Sequence, residues 1–384
     1  MIRPSGFSPL SGLGFEIRLS ALFNRAFCAA LVGLAASPLL AKPHPGSAAP
    51  TPSPAVTTPT QPPQSLSVSQ EVKDIFDRNR RGVVKVHAQD EHSDIYGTGF
   101  FIDPTGTLYT ANSVVGDAGN FSIDYKGKQY SARLIAADAR SGVALLKVDL
   151  VSPALPIGKT DELEVATPVV TIGYPLDLPE TPGFGMIAGF DHKYMGRYLS
   201  TRHLRVNLPT QRGEAGAPLL NLKGEVVGIL VSSLENNSSC YALPIEAAEK
   251  IRSDVVRFGE VRDGWIGAAV GEAKESVEGS HTVVTDILGP VTASDGGMRV
   301  GDMLLRVGKI DVHDPEDVID ASFFITAGDS VPITVIRDGK KMTLTIEADF
   351  HPMSQRRGMI FSALPQGTLN RGIPLSLQPQ SVPQ

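Results

Sequence analysis

Four histidines, one cysteine and one glycine-rich turn hold most of the chemistry that the middle of this chain could do. The turn reads Gly213-Glu214-Ala215-Gly216-Ala217-Pro218-Leu219, and the side chains are His87, His92, His192, His203 and Cys240. An imidazole moves protons well near neutral pH. It becomes a catalyst only with a nucleophile and an orienting group within reach. His87 stands beside the apolar run Val83-Val84-Lys85-Val86 and reads as a structural histidine on a strand. His92, His192 and His203 sit in polar, loop-like contexts and read as solvated. Cys240 lies beside Tyr241 in an apolar run, which suits buried packing better than reactivity. No phosphate loop and no zinc-ligand spacing is present, so neither a cofactor nor a metal is expected.

The turn has the layout of the nucleophile loop of a trypsin-like serine protease, usually Gly-Asn-Ser-Gly-Gly-Pro-Leu, with Ala215 where the serine would be. Other blocks agree, in order. Tyr96-Gly97-Thr98-Gly99-Phe100-Phe101-Ile102 with Leu108-Tyr109-Thr110-Ala111-Asn112-Ser113-Val114-Val115 resembles the Gly-Ser-Gly-Phe-Ile…Leu-Thr-Asn-Asn-His-Val-Val segment of the HtrA/Deg proteases. Ser113 takes the place of the histidine. Ser141-Gly142-Val143-Ala144-Leu145-Leu146-Lys147-Val148 resembles Thr-Asp-Leu-Ala-Leu-Leu-Lys-Ile, so Gly142 replaces the aspartate. Val169 to Pro175 and Asn221 to Ile229 complete the series, and the resemblance runs over residues 70–349.

That resemblance implies a protease shape without its chemistry. In a triad the serine attacks, the imidazole takes and returns its proton, and the carboxylate orients the imidazole. A methyl group at 215 has no lone pair to add to a carbonyl. A hydroxyl at 113 is a poor base near neutral pH, and glycine at 142 offers no acceptor. What survives is the backbone. By analogy with active relatives, the amides of Gly213 and Ala215 would form an oxyanion-hole-like pair able to donate to a peptide carbonyl. Against this, Glu214 puts a carboxylate beside the hole and Ala217 adds a methyl where glycine is usual. A collapsed cleft kept as a scaffold is the competing reading.

The ends of the chain differ from its middle. Residues 1–41 carry Arg3, Arg18 and Arg25, an apolar run from Ala26 to Ala36 and small residues up to Ala41, which describes a signal peptide. The run falls short of the ~20 residues of a spanning helix, so an uncleaved anchor is the weaker alternative. A periplasmic or secreted protein is expected. Residues 42–65 are rich in Pro, Ser and Thr and read as a linker, and residues 350–384 read as a disordered tail. Three basic groups and one acid leave with residues 1–41, so 32 basic and 40 acidic groups remain, net −8. That balance argues against a nucleic-acid partner.

Between these ends the pattern predicts an all-β-dominated protein: a trypsin-like double β-barrel over 66–257, then a small α+β PDZ domain over 258–349. Val72, Ile75 and Phe76 predict a helix over 68–80, and Ile245, Ala248, Ile251 and Val255 predict one over 244–257. Short β-branched runs between Gly, Pro and Asp turns fill the interval, with a hairpin turn at Tyr125-Lys126-Gly127-Lys128. Further on, Gly264-Trp265-Ile266-Gly267-Ala268 and Gly297-Met298-Arg299-Val300-Gly301-Asp302 resemble the Gly-Tyr-Leu-Gly-Val and Gly-Leu-Arg-Pro-Gly-Asp segments of the family's PDZ domain. A helix is expected over 314–327, and a hairpin with Asp338-Gly339 at its turn. PDZ domains add an extended peptide as a strand and hold its terminal carboxylate on backbone amides. Trp265, Ile266, Gly267 and Ala268 are the peptide-binding candidates, with Trp265 alternatively a packing residue between domains.

Three readings stay open. The first is an exported, catalytically inactive HtrA-like pseudoprotease that binds peptides, protein C-termini or unfolded chains, or regulates an active HtrA-family protease. The second is a structural or assembly module without peptide binding, in which the family also implies a homo-trimer. The third is a serine endopeptidase with non-standard catalytic residues.

Overall fold

The computed structural model describes residues 67–89, 94–234, 237–288 and 297–352. The expected signal peptide and linker lie outside them, as does nearly all of the expected tail. Helix α1 (Val68–Asn79) starts where the Ser67 side chain accepts a hydrogen bond from the Gln70 amide, a standard N-cap. Its apolar stripe faces inward: Ile75 is buried, with Val72 and Phe76 packed beside the core.

Six strands then close a barrel: β1 (Val83–Gln89), β2 (Asp94–Phe101), β3 (Thr107–Ala111), β4 (Asn120–Tyr125), β5 (Lys128–Asp138) and β6 (Val143–Val148). The order around it is 1-2-3-6-5-4. The short helix α2 (Asn112–Val115) follows β3 directly. Lys126 and Gly127 both take positive φ (51° and 71°), the geometry that a two-residue hairpin between right-twisted strands requires. A second barrel repeats the order with β7 (Pro168–Gly173), β8 (Thr181–Tyr194), β9 (Arg197–Asn207), β10 (Pro218–Leu220), β11 (Val226–Ser233) and β12 (Cys240–Pro244). Each barrel fills its interior with alternate inward side chains. Val84, Val86, Phe101, Leu108 and Leu146 fill the first. Val169, Ile187, Leu204, Val206 and Leu219 fill the second.

A third apolar cluster joins the barrels. Phe100, Tyr109, Val170, Ile172, Ile229 and Leu243 meet the buried face of α3 (Ile245–Phe258), which packs through Ile245, Ala248 and Ile251. The Tyr109 hydroxyl donates to Glu249 at 2.7 Å, tying the first barrel to that helix. Phe323 belongs to the same cluster, although it comes from the next domain.

That domain contains β13 (Gly264–Trp265), β14 (Ala268–Val277), β15 (Ser280–Ile287), β16 (Met303–Val307), β17 (Ile310–Asp311), α4 (Pro315–Phe324), β18 (Ser330–Arg337), β19 (Lys340–Glu347) and β20 (Asp349–Phe350). The main sheet runs 14-15-16-18-19, β17 pairs with β16, and β13 pairs with β20. Helix α4 opens with a capping box between Asp314 and Asp317. It ends three residues before the expected 327. The reason is tertiary: the Gly264 amide donates to the Ile325 carbonyl at 3.1 Å, and Thr326 bridges to Asp263. Chain pairing takes over the backbone groups that a further helical turn would have used.

Candidate functional site

The seam between the barrels gathers the three positions read as triad replacements. Ser113 lies on α2, at the end of β3. The amide of its neighbour Asn112 donates to the Gly142 carbonyl at 2.7 Å, which holds positions 113 and 142 together. Gly142 takes φ +80°, and a Cβ added there would stand 3.2 Å from the Val231 Cβ on β11 of the other barrel. Ala215 comes from the second barrel but packs against the first barrel's core, and its carbonyl accepts the Thr98 amide at 2.9 Å. At these positions stand an exposed serine, a half-buried glycine and a half-buried alanine.

The described histidines of the barrel domain are engaged elsewhere. His87 pairs with Asp124 at 2.9 Å across β1 and β4, with the Tyr96 ring edge-on to it. His192 reaches Asp320 on α4 at 2.9 Å. His203 is buried on β9, with Nδ1 2.7 Å from the Thr201 carbonyl, and burial lowers its pKa from the usual imidazole value. The expectation that His192 and His203 are solvated loop residues is therefore corrected: both lie on long strands, His203 is buried, and His192 is held by Asp320 of the next domain. His92 lies outside the described residues.

The loop before Ala215 makes one wall of a cavity of about 170 Å³. Residues 210–215 line one side, and Leu230, Ser232, Ser233 and Asn237 line the other. The Thr98 hydroxyl donates to the Gly213 carbonyl at 2.7 Å and accepts the Tyr174 amide at 3.1 Å, fixing the loop to both barrels. The amides of Gly213 and Ala215 donate to no other group among the described residues. Thr210 and Ser233 share a 2.9 Å hydroxyl contact on the cavity wall. Sequence reasoning missed these hydroxyls, since isolated Ser and Thr on strands carry no motif.

The Glu214 side chain is 6% exposed, packs against Gly173, and accepts the Gln211 amide at 2.6 Å. Burial raises its carboxyl above the usual range, against the lowering effect of that hydrogen bond. Cys240 is buried, its thiol pushed up to about 12 by burial and then by the Glu214 charge. The Ala217 methyl is also consumed in packing, inside the second barrel's core.

In the last domain, the four candidate residues divide. Ile266 is buried in the domain core. Gly267 accepts the Leu288 amide at 2.7 Å, and Ala268 opens β14, the edge strand of the main sheet and a neighbour of α4. Trp265 is committed to a different place: its backbone pairs with Asp349 and its ring stands edge-on to His351 at 6.2 Å.

A polar clamp joins the domains, and no sequence signal announced it. Asp320 on α4 is nearly buried and accepts from Thr201 Oγ1 at 2.8 Å, His192 Nε2 at 2.9 Å and the Arg202 amide. Burial pushes its carboxyl up, but these hydrogen bonds outweigh it and hold the group below the usual range.

Known proteins share this pair of domains. The trypsin-like peptidase domain family matches residues 97–229, and the PDZ domain family matches residues 264–348. A probable periplasmic serine endoprotease, DegP-like, from Pseudomonas fluorescens is 29% identical over 292 residues, covering 72% of this chain and 60% of the relative. Its counterpart from Ectopseudomonas mendocina is 30% identical over 269 residues, covering 65% of this chain and 56% of the relative. The chain is similar to the DegP/HtrA proteases over both domains. Among solved structures, the HtrA-type protease AlgW with a tripeptide superposes with TM-score 0.63 at 22% identity, covering 73% of this chain and 97% of AlgW. The serine endoprotease from Yersinia pestis gives TM-score 0.55 at 23% identity, covering 73% and 98%. At such identities these structures establish the fold, a trypsin-like double barrel followed by a PDZ domain. The chain spans 56–60% of the length of the two curated relatives.

Proposed function

We propose that this HtrA-like protein is an exported pseudoprotease that holds peptides or unfolded chains without cutting them, or regulates an active relative. The observation that carries the reading is the seam itself: Ser113, Gly142 and Ala215 supply no nucleophile–base–orienter set. The described histidines of the barrel domain are held by Asp124, Asp320 and the Thr201 carbonyl. Hydrolysis through an acyl intermediate needs all three roles in one place.

Binding has better support than turnover. The Gly213 and Ala215 amides stand beside a cavity and have no acceptor among the described residues, so a peptide carbonyl could take their hydrogen bonds. In the PDZ domain, an extended peptide would add to the free edge of β14, with its carboxylate on the amides around Gly267 and Ala268. Trp265 serves in this reading as a packing residue and reporter. Export is proposed from residues 1–41 and from the periplasmic naming of the relatives; among the described residues no helix is long and apolar enough to cross a membrane. The test is a pair of measurements on the exported protein. A fluorophosphonate should leave it unlabelled, and a library of peptides with free C-termini should yield binders. Specific labelling, or casein turnover abolished by one substitution, overturns the pseudoprotease reading.

A further inference from the structure

A cleft of about 1080 Å³ opens between the two domains, above the usual size range of a ligand cavity. On the barrel side it is bordered by residues 159–161, 201–202 and 244–246. On the PDZ side it is bordered by the β16–β17 hairpin, by the start of β18 and by Asp317, Asp320, Ala321 and Phe324 of α4. Those four positions are one helical stripe at i, i+3, i+4 and i+7. No residue of β14 or of the 210–215 loop borders it, so it is separate from both places discussed above.

Its walls have a definite chemistry. Val307, Ile310, Phe324, Ile325, Val331 and Pro332 give it an apolar floor, and Phe324 remains 37% exposed. Six carboxylates border it, those of Asp161, Glu246, Asp311, Asp317, Asp320 and Asp329, against only three cations, Lys159, Arg202 and Lys309. A fitting occupant is extended, apolar and basic.

The chain itself contains such a segment. Residues 353–384 hold Arg356, Arg357 and Arg371 and no acidic residue, and Arg356-Arg357 is followed at once by Gly358-Met359-Ile360-Phe361. The approach to this segment passes the rim of the cleft. The Gly328 amide donates to the Ala348 carbonyl at 2.8 Å, and the Ala348 amide donates to the carbonyl of Asp329, a rim residue, at 2.9 Å. From Pro352, the nine residues to Phe361 span up to about 30 Å when extended, more than a domain-boundary cleft requires. Attachment so near the rim also gives a high effective concentration without any partner.

We propose that residues 356–364 dock in this interdomain cleft, with Met359-Ile360-Phe361 on the apolar floor and Arg356 and Arg357 among the carboxylates. The inference stands apart from peptide binding at the barrel seam or at β14. It is tested in the full chain by replacing Phe361 with a benzophenone amino acid, irradiating, and mapping the cross-links by mass spectrometry. The expected result is links within one chain to residues 307–311, 324–325 or 330–332, at a yield independent of protein concentration. Arg356→Glu with Arg357→Glu should cut that yield at least fivefold. Links to β14 or to scattered surface sites, links only between chains, no links, or a yield indifferent to the charge reversal would each overturn the proposal.

Discussion

Asp320 on α4 and Thr201 on β9 are joined by a 2.8 Å hydrogen bond across the boundary between the two domains. His192 and the Arg202 amide converge on the same carboxylate, so three donors from one hairpin of the second barrel grip one acid of the PDZ helix. With Phe323 packed into the core shared by the barrels, the helix is anchored by a nearly dry polar clamp and a nearly dry apolar contact, with the more exposed Lys193–Glu316 ion pair beside them.

Removing the polar contact should loosen the domains. Asp320→Ala leaves the Thr201 hydroxyl and the Arg202 amide without their acceptor and should cost roughly 2–4 kcal/mol. The measurement is urea unfolding of the full chain followed by circular dichroism. Because the Asp320 carboxyl is held below its usual range when folded, its stabilisation is complete above the ordinary aspartate pKa. It is lost as pH falls through the lower folded value. Asp320→Asn should flatten that acid limb of the stability profile.

Glu214 should show the opposite sign. Burial raises its carboxyl, so ionising it opposes folding: the native state is favoured while the group is protonated and loses that advantage as pH rises through the folded value. Glu214→Gln should therefore raise the urea midpoint at pH 7 and leave it nearly unchanged at about the ordinary carboxyl pKa.

Rebuilding the old chemistry should be harder than three substitutions suggest. Ala215→Ser alone should give no fluorophosphonate labelling above background, because the described histidines of the barrel domain are held elsewhere, by Asp124, Asp320 and the Thr201 carbonyl. Gly142→Asp puts a side chain on a backbone at φ +80° facing Val231, and should destabilise the fold by about 1–3 kcal/mol. Thermal melts of the two single variants separate these effects.

Peptide capture by the PDZ domain should depend on the terminal carboxylate. Amidating the peptide removes a charge-assisted hydrogen bond to the backbone and should weaken binding about tenfold or more. Trp265, the chain's single tryptophan, offers the titration signal. Equal binding of acid and amide forms would favour the structural-module reading.

Much of this was legible in the sequence. The β-branched runs marked the strands, and Lys126-Gly127 and Asp338-Gly339 marked hairpins, because local backbone geometry dictates those residues. The substituted loop could be read because its spacing reflects a tight, shared backbone course. What was hidden depends on the third dimension. His203 is buried and His192 is engaged by groups far away in sequence, Asp320 of the next domain among them, which their polar neighbours disguised. Helix α4 stops early because Gly264 pairs with Ile325 from sixty residues away. The Asp320 clamp unites donors and acceptor more than a hundred residues apart, and no local pattern encodes such a meeting.

The free edge of β14 sets a measuring length. Its first four residues, Ala268-Ala269-Val270-Gly271, carry no charge, whereas Glu272, Lys274 and Glu275 follow on the same strand. Charged side chains on an edge discourage further strand pairing. A visiting chain would therefore find about four residues of welcoming edge, roughly 13 Å, before it met the charged stretch. Short carboxy-terminal tags fit that ruler. A second copy of the same strand, laid along its whole length, would have to pair through Glu272, Lys274 and Glu275.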